Sequence, residues 1–274
     1  RAEAGRLRGA EITFEKKTVT GTENLLMAAA LAKGETILRN CAREPEVTDL
    51  ADLLNKMGAK IEWPDPETAR VRGVRELGGA GHAIIPDRIE TGTFLAAGAL
   101  TAGDFLVRGV VPEHVAGVVD KLRASGAYVE KEGEAALRVV GARAVRPQDV
   151  TTSPYPGFPT DMQAQFMVLL TQAEGTSIIT ETIFDRRYSH VNELVRLGAA
   201  IEVQGDKAVV KGRTPLSGAE VVATDLRASA ALVLAGLVAS GETTVTEIDH
   251  LDRGYERIEE KLRGLGASIE RIRE

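Results

Sequence analysis

Met57-Gly58-Ala59-Lys60-Ile61-Glu62 returns three times along the chain: as Ser125-Gly126-Ala127-Tyr128-Val129-Glu130, as Leu197-Gly198-Ala199-Ala200-Ile201-Glu202, and as Leu265-Gly266-Ala267-Ser268-Ile269-Glu270. The four glycines stand 68, 72 and 68 residues apart. A second marker keeps nearly the same step. Gly34, Gly103, Gly175 and Gly241 each follow an Ala/Leu-rich run and precede a Thr/Ile/Val-rich one, at separations of 69, 72 and 66 residues. Two markers with one period identify four copies of a unit of about 70 residues.

Each copy has the same internal order. A short strand comes first (Glu11–Phe14, His82–Pro86, Asp149–Thr152, Glu220–Ala223). An almost wholly apolar helix follows (Leu25–Ala32, Phe94–Ala102, Phe166–Ala173, Ala228–Ala239), and such a helix is expected to be buried on all sides. A second strand (Thr36–Leu38, Phe105–Val107, Ser177–Ile179, Thr243–Val245) leads to an amphipathic helix, with Val191, Leu194 and Val195, or Ile258, Leu262 and Leu265, on its apolar face. The repeated glycine suits the left-handed position just past that helix. A hairpin closes the unit, as in Ala200–Val203 with Lys207–Lys211 around Gly205-Asp206. The reading is α/β, built from βαβαββ units. The fourth copy ends at Glu274, after its Gly-Ala-x-Ile-Glu strand and without a closing partner. An unpaired edge is expected there, and the expectation is that the chain is a fragment of a longer protein.

Composition narrows the class. Of 274 residues, 43% are hydrophobic and 27% charged, which fits a soluble globular chain of two domains. No apolar run reaches membrane-spanning length, and no secretory signal is visible. The single cysteine, Cys41, rules out an internal disulfide and fits a reducing cytoplasm; no histidine stands beside it, and it reads as an inert small hydrophobe. A net charge of −6 gives no support to nucleic-acid binding. His82, His114, His190 and His250 have no metal-ligand spacing, so no metal is expected, and with no phosphate-loop motif and no dinucleotide fingerprint no cofactor is expected either. Only His190, beside Arg187, is placed to line a site.

Polar residues gather before the helices. Thr18-Val19-Thr20-Gly21, Asp87-Arg88, Thr160-Asp161 and Thr224-Asp225-Leu226-Arg227 precede the apolar helices. Ala42-Arg43-Glu44-Pro45-Glu46, Asp185-Arg186-Arg187 and Asp252-Arg253-Gly254-Tyr255 precede amphipathic ones. In a repeated unit these ends fall on one side of the sheet. Helix N-termini attract anions, and Arg88, Arg187, Arg227 and Arg253 can grip phosphate or carboxylate in bidentate fashion. A polyanionic ligand is the expectation. Within Phe158-Pro159-Thr160-Asp161-Met162-Gln163-Ala164-Gln165-Phe166, Thr160 or Asp161 reads locally as the helix N-cap.

These segments carry a resemblance. Pro86–Phe94, Phe158–Phe166, Thr224–Ser229 and Asp252–Arg257, with Ala42–Glu46 and Thr20–Asn24, resemble the UDP-N-acetylglucosamine enolpyruvyl transferases of the EPSP synthase-like family. The likeness runs from about Arg6 to Glu270. It implies an inside-out α/β barrel architecture, with residues 1–80 as the last unit of a first domain and 81–274 as most of a second. It implies transfer of the enolpyruvyl group of phosphoenolpyruvate to the 3-hydroxyl of UDP-N-acetylglucosamine, releasing phosphate, in peptidoglycan synthesis. By the resemblance, Asp161 is the general base and Arg253 binds phosphoenolpyruvate. Arg88, Arg187, Asp225 and Arg227 line the site; Lys16, Thr18, Val19 and Thr20 meet the uridine diphosphate; Ile183 contacts the sugar nucleotide. The family's N-terminal Lys-Asn pair and its mobile loop with a Cys or Asp general acid match nothing here, and Cys41 is not in that position. The chain alone is therefore expected to be incomplete as a catalyst. Two alternatives stay open: a 5-enolpyruvylshikimate-3-phosphate synthase-like enzyme, and a non-catalytic UDP-sugar binding module.

Overall fold

The computed structural model describes residues 5–272. The chain divides into two compact units: the residues up to Ile85 with Pro154–Pro156, and Pro86–Ser153 with Gly157 onward.

The first unit runs β1 (Glu11–Thr13), α1 (Val19–Ala30), β2 (Glu35–Arg39), α2 (Pro45–Lys56), β3 (Lys60–Asp65), β4 (Thr68–Arg72). Its sheet has the order β1-β2-β4-β3, with β1 parallel to β2 and the other pairs antiparallel. Leu26, Leu38, Val47, Leu54, Ile61 and Val71 form its core, and Cys41 lies buried among them.

The second unit continues with α3 (Arg88–Leu100), β5 (Asp104–Arg108), α4 (Ala116–Ala124), β6 (Tyr128–Lys131) and β7 (Ala136–Val140). Then come β8 (Val150–Thr151), α5 (Gln163–Thr171), β9 (Thr176–Thr180), α6 (Val191–Arg196), β10 (Ala200–Gln204) and β11 (Lys207–Lys211). It ends with β12 (Glu220–Val222), α7 (Leu226–Gly236), β13 (Thr244–Thr246), α8 (Asp249–Asp252) and α9 (Ile258–Gly264). The third copy repeats the first: its sheet order is β8-β9-β11-β10, and the β10–β11 hairpin turns at Gly205-Asp206 as its sequence predicts.

The helices α3, α5 and α7 pack on one another, and each also lies against strands of its own copy. Helices are thus inside and sheets outside. This is why their sequences are apolar on every face: all nine residues of α5 and eleven of the thirteen in α3 are buried. Helix α1 departs from that expectation, with Met27 and Leu31 exposed. In its unit it meets one other helix and one sheet, which cover only part of its surface.

The repeat glycines are equivalent. Gly58, Gly126, Gly198 and Gly266 have φ of +103°, +103°, +97° and +100°. Each donates its N–H three residues back, to Asn55, Arg123, Val195 or Arg263. The following alanine donates five residues back, to Leu54, Leu122, Leu194 or Leu262. That double closure is the Schellman cap, and it needs a left-handed residue that only glycine supplies cheaply.

Other expectations are corrected. Residues 82–86 form no strand; the chain there is held by His82, whose Nε2 lies 2.8 Å from Asp49 Oδ1 and whose Nδ1 lies 2.9 Å from Lys56 Nζ. The predicted strand at 268–270 is also absent. Among the described residues it has no ladder to join, since the fourth copy's sheet is only β12 and β13, and a strand exists through its ladder. The local path is nevertheless conserved between copies: Arg263 donates to Ile269 O as Arg123 donates to Val129 O. Val195 and Leu265, expected on apolar helix faces, are exposed beside buried Val191, Leu194, Ile258 and Leu262.

Candidate active site

Three of the four apolar helices begin with a side-chain cap. Thr18 Oγ1 accepts from Gly21 N, Asp87 Oδ1 from Ile89 N and Glu90 N, and Asp225 Oδ1 from Arg227 N and Ala228 N. Helix α5 does not. Pro159 leads into a 3-10 turn, Thr160–Met162, and neither Thr160 nor Asp161 caps the helix; the cap position is Met162, with no side-chain bond. The tight turn points Asp161 away from the backbone N–H groups, so the capping expectation fails and the carboxylate is free for other partners.

Those partners are two arginines. Asp161 Oδ1 accepts from Arg187 Nη1 at 2.7 Å. Asp161 Oδ2 accepts from Arg227 Nε at 3.1 Å and Nη2 at 3.0 Å. Arg187 comes from the loop after β9 and Arg227 from the first turn of α7, so two adjacent copies converge on a residue of one of them. The side chains of Asp161, Arg187 and Arg227 are 34%, 25% and 14% exposed, so each keeps part of its surface open to solvent. Burial raises the Asp161 pKa, but the charges of Arg227 and Arg187 outweigh it and hold the carboxyl below its ordinary value.

Each arginine is braced from behind. Thr93 Oγ1 donates to Ile89 O, so the Tyr255 hydroxyl, 3.0 Å away, donates to Thr93. The Tyr255 oxygen then accepts from Arg227 Nη1 at 3.3 Å and from Gln165 Nε2 at 3.4 Å. Burial pushes the Tyr255 pKa up, which keeps that hydroxyl protonated. Arg187 Nη1 also donates to Thr160 Oγ1 at 2.8 Å, and its guanidinium lies over the Phe184 ring.

The remaining sequence-predicted residues are distributed as follows. Asp225 caps α7 and accepts from Ser189 Oγ at 3.2 Å. Ile183, 36% exposed, follows β9, its N–H bound to Glu181 Oε1. Arg88 is the first residue of α3. Arg253 is not at a helix start: it is the C-cap of α8, exposed, and its guanidinium makes no ion pair with the described residues. In the first unit Val19 and Thr20 open α1, Thr18 is its N-cap, and Lys16 lies in the bend just before it. Thr93, Gln165 and Tyr255 were not foreseen as site residues, although a Thr and a Gln within largely apolar helices are themselves a signal of a buried polar network. His190 is buried, its Nε2 lacks a partner among the described residues, and desolvation with the nearby Arg187 charge pushes its pKa down to about 4 despite Asp225. Among the described residues no cluster of His, Cys, Asp and Glu could hold a metal, and no helix is long and apolar enough to cross a membrane.

The geometry has counterparts. The profile of the family EPSP synthase (3-phosphoshikimate 1-carboxyvinyltransferase) matches residues 1–262. The chain is 58% identical over 274 residues to the UDP-N-acetylglucosamine 1-carboxyvinyltransferase of Koribacter versatilis, covering all of this chain and 63% of that protein. It is 63% identical over 269 residues to the enzyme of that name from Anaeromyxobacter sp. strain K, covering 98% of this chain and 64% of that one. The chain thus spans less than two thirds of the length of these relatives. The enolpyruvyl transferase NikO from Streptomyces tendae superposes with a TM-score of 0.86 at 30% identity, covering 97% of this chain and 66% of that structure. EPSP synthase from Acinetobacter baumannii, at 21% identity and a TM-score of 0.73, shares the fold. With the inside-out arrangement of repeated units and the arginine-rich helix ends, these matches establish that the chain belongs to the EPSP synthase family.

Proposed function

We propose that this chain carries the base-bearing part of a UDP-N-acetylglucosamine 1-carboxyvinyltransferase, acting on phosphoenolpyruvate and UDP-N-acetylglucosamine in peptidoglycan synthesis in the cytoplasm. The observation that carries the reading is Asp161, held off its helix and set between Arg187 and Arg227. A carboxylate so placed can receive a hydroxyl proton, and the arginines can take the charge of a phosphate or carboxylate. The names and 58–63% identity of the relatives favour the UDP-sugar over a shikimate substrate.

In this reading the sugar hydroxyl gives its proton toward Asp161 and its oxygen bonds the carbon that carried phosphate. Phosphate leaves, taking up a proton overall. In the arrangement described, both arginines lower the basicity of Asp161. An anionic substrate that draws Arg227 to itself relaxes that restraint while Arg187 stays to orient the carboxylate, and the base strengthens as the substrate arrives. Arg253, unpaired among the described residues, is the spare cation for phosphoenolpyruvate. Lys16, Thr18, Val19 and Thr20 are assigned to the uridine diphosphate, and Arg88, Ile183 and Asp225 to the substrate surface.

The test is Asp161→Asn, in a protein of the relatives' full length that carries this sequence. The amide keeps a hydrogen-bond acceptor but cannot take a proton, so turnover is expected to fall roughly 10²–10⁴-fold. The melting temperature is expected to fall as well, because the charge paired with Arg187 and Arg227 is lost, so turnover is compared at a temperature where both proteins are folded. Turnover near the parent value would remove Asp161 as the base.

A further inference from the structure

Glu181 follows β9 and is only 4% exposed, yet among the described residues it pairs with no lysine or arginine. A buried carboxylate without a counter-charge must be satisfied by hydrogen bonds. Its Oε1 accepts from Thr152 Oγ1 (2.9 Å), Ile183 N (2.9 Å) and Phe184 N (3.1 Å). Its Oε2 accepts from Thr160 Oγ1 at 2.8 Å and from Gln163 Nε2 at 3.5 Å. The Thr160 bond has a direction. A carboxylate only accepts, so the Thr160 hydroxyl spends its single proton on Glu181, and its lone pairs are left for a donor. That donor is Arg187 Nη1, which binds both Thr160 Oγ1 and Asp161 Oδ1. The chain of bonds runs Glu181, Thr160, Arg187, Asp161.

The repeat supplies an independent observation. The residue just past the second strand of each copy is Asn40, Gly109, Glu181 or Glu247. Asn40, Gly109 and Glu247 are all left-handed, with φ of +57°, +68° and +56°. Glu181 is not, so the third copy gives up the turn its siblings share and sends a carboxylate inward to Thr160.

We propose that Glu181 is a positioning residue for the transfer reaction: through the Thr160 hydroxyl it fixes Arg187 against Asp161 and so sets the geometry of the base. The inference rests on the reading of Asp161 given above. It concerns a buried residue whose two carboxylate oxygens are both engaged within the chain.

The experiment is a double-variant cycle of Glu181→Gln and Thr160→Val, with Thr160→Ser and Asp161→Asn alongside, in a protein of the relatives' full length carrying this sequence. Glutamine at 181 presents N–H groups to Thr160 and reverses the hydroxyl; valine at 160 removes the hydroxyl at constant shape. Each is expected to lower kcat about 10- to 100-fold, the factor associated with a hydrogen bond to a charged group. Because Arg187 is also a grip for the anion, the KM of phosphoenolpyruvate is expected to rise, whereas the KM of UDP-N-acetylglucosamine should stay within about threefold, since Lys16, Thr18, Val19 and Thr20 are untouched. If Glu181 acts through Thr160, the double variant is no worse than the poorer single variant, to within about twofold, and Thr160→Ser recovers most of what Thr160→Val loses. Losses that multiply, or a Thr160→Val protein with parental kcat, would overturn the proposal. Should Glu181→Gln fail to fold, Glu181→Asp, which keeps the charge but shortens the reach to Thr160, takes its place in the cycle, and a parental kcat in it would overturn the proposal. An active Asp161→Asn protein sinks the reading of the site itself, whereas a dead one beside multiplying losses sinks only the role of Glu181.

Discussion

Acidification tests the packing beneath the site through His190. The ring is buried at the start of α6, its Nε2 unpartnered among the described residues, with Arg187 and Asp225 as the nearby charges. Desolvation first, and Arg187 second, bring its pKa from the ordinary 6.5 down to about 4. An unfolded chain therefore binds a proton at His190 near pH 6.5, while the folded chain refuses it until about pH 4. Stability is full above 6.5 and is lost as pH falls through that window, at about 1.4 kcal/mol per pH unit. Over the whole interval the loss reaches about 3 kcal/mol. Asp161 does not interfere: its depressed pKa gives stability that is lost only as pH falls below the ordinary carboxylate value. The assay is urea denaturation of the parent and of His190→Gln at half-unit steps of pH. The difference between their unfolding free energies should slope by about 1.4 kcal/mol per unit between pH 6 and 4.5 and flatten above 7. Parallel curves for the two proteins would show that His190 takes up a proton in the folded state and would refute the reasoning.

Two further outcomes follow from single contacts. Gly198→Ala places a Cβ in a left-handed backbone whose only near atom is Pro215 O at 3.5 Å, so strain rather than a clash sets the cost; denaturation should show a loss of about 1–2 kcal/mol. Arg253→Lys keeps the charge but loses the planar fork, and steady-state kinetics at full length should show a raised KM for phosphoenolpyruvate with melting unchanged; parental KM would remove Arg253 from the site.

The fold was legible because its signal is redundant: four glycines need a left-handed φ, and that need is written as Gly in every copy. The strands at 82–86 and 268–270 were misread because their propensity is local while their pairing is not. The residue types of the site were legible too, as arginines and aspartates before apolar helices. Their roles were not. Asp161 looks like a cap because Asp before a helix usually is one, and only the 3-10 turn after Pro159 removes it from that task. Glu181 gave no sign at all. Its partners Thr152 and Thr160 lie 29 and 21 residues away and are brought to it by β8 and the turn before α5.

Repetition also explains where chemistry is found in this chain. Asp87 and Asp225 stand at matching places and do the same thing, binding the N–H groups two and three residues ahead. Capping alone is interchangeable among copies, and Asp225 goes beyond it only in its bond from Ser189 Oγ. The third copy differs at both of its equivalent points: its helix starts without a side-chain cap, and its β9 ends without the left-handed turn. Each departure gives up local stabilisation, a cap alone being worth about 1 kcal/mol. The two freed carboxylates, Asp161 and Glu181, are the ends of one hydrogen-bonded chain that includes Arg187. Independent drift in the two places would not be expected to join them. A shared constraint on Arg187 and Asp161 does, and it predicts that variants of the siblings Asp87 and Asn40 change stability alone, whereas variants of Asp161 and Glu181 lower the rate beyond what their loss of stability accounts for.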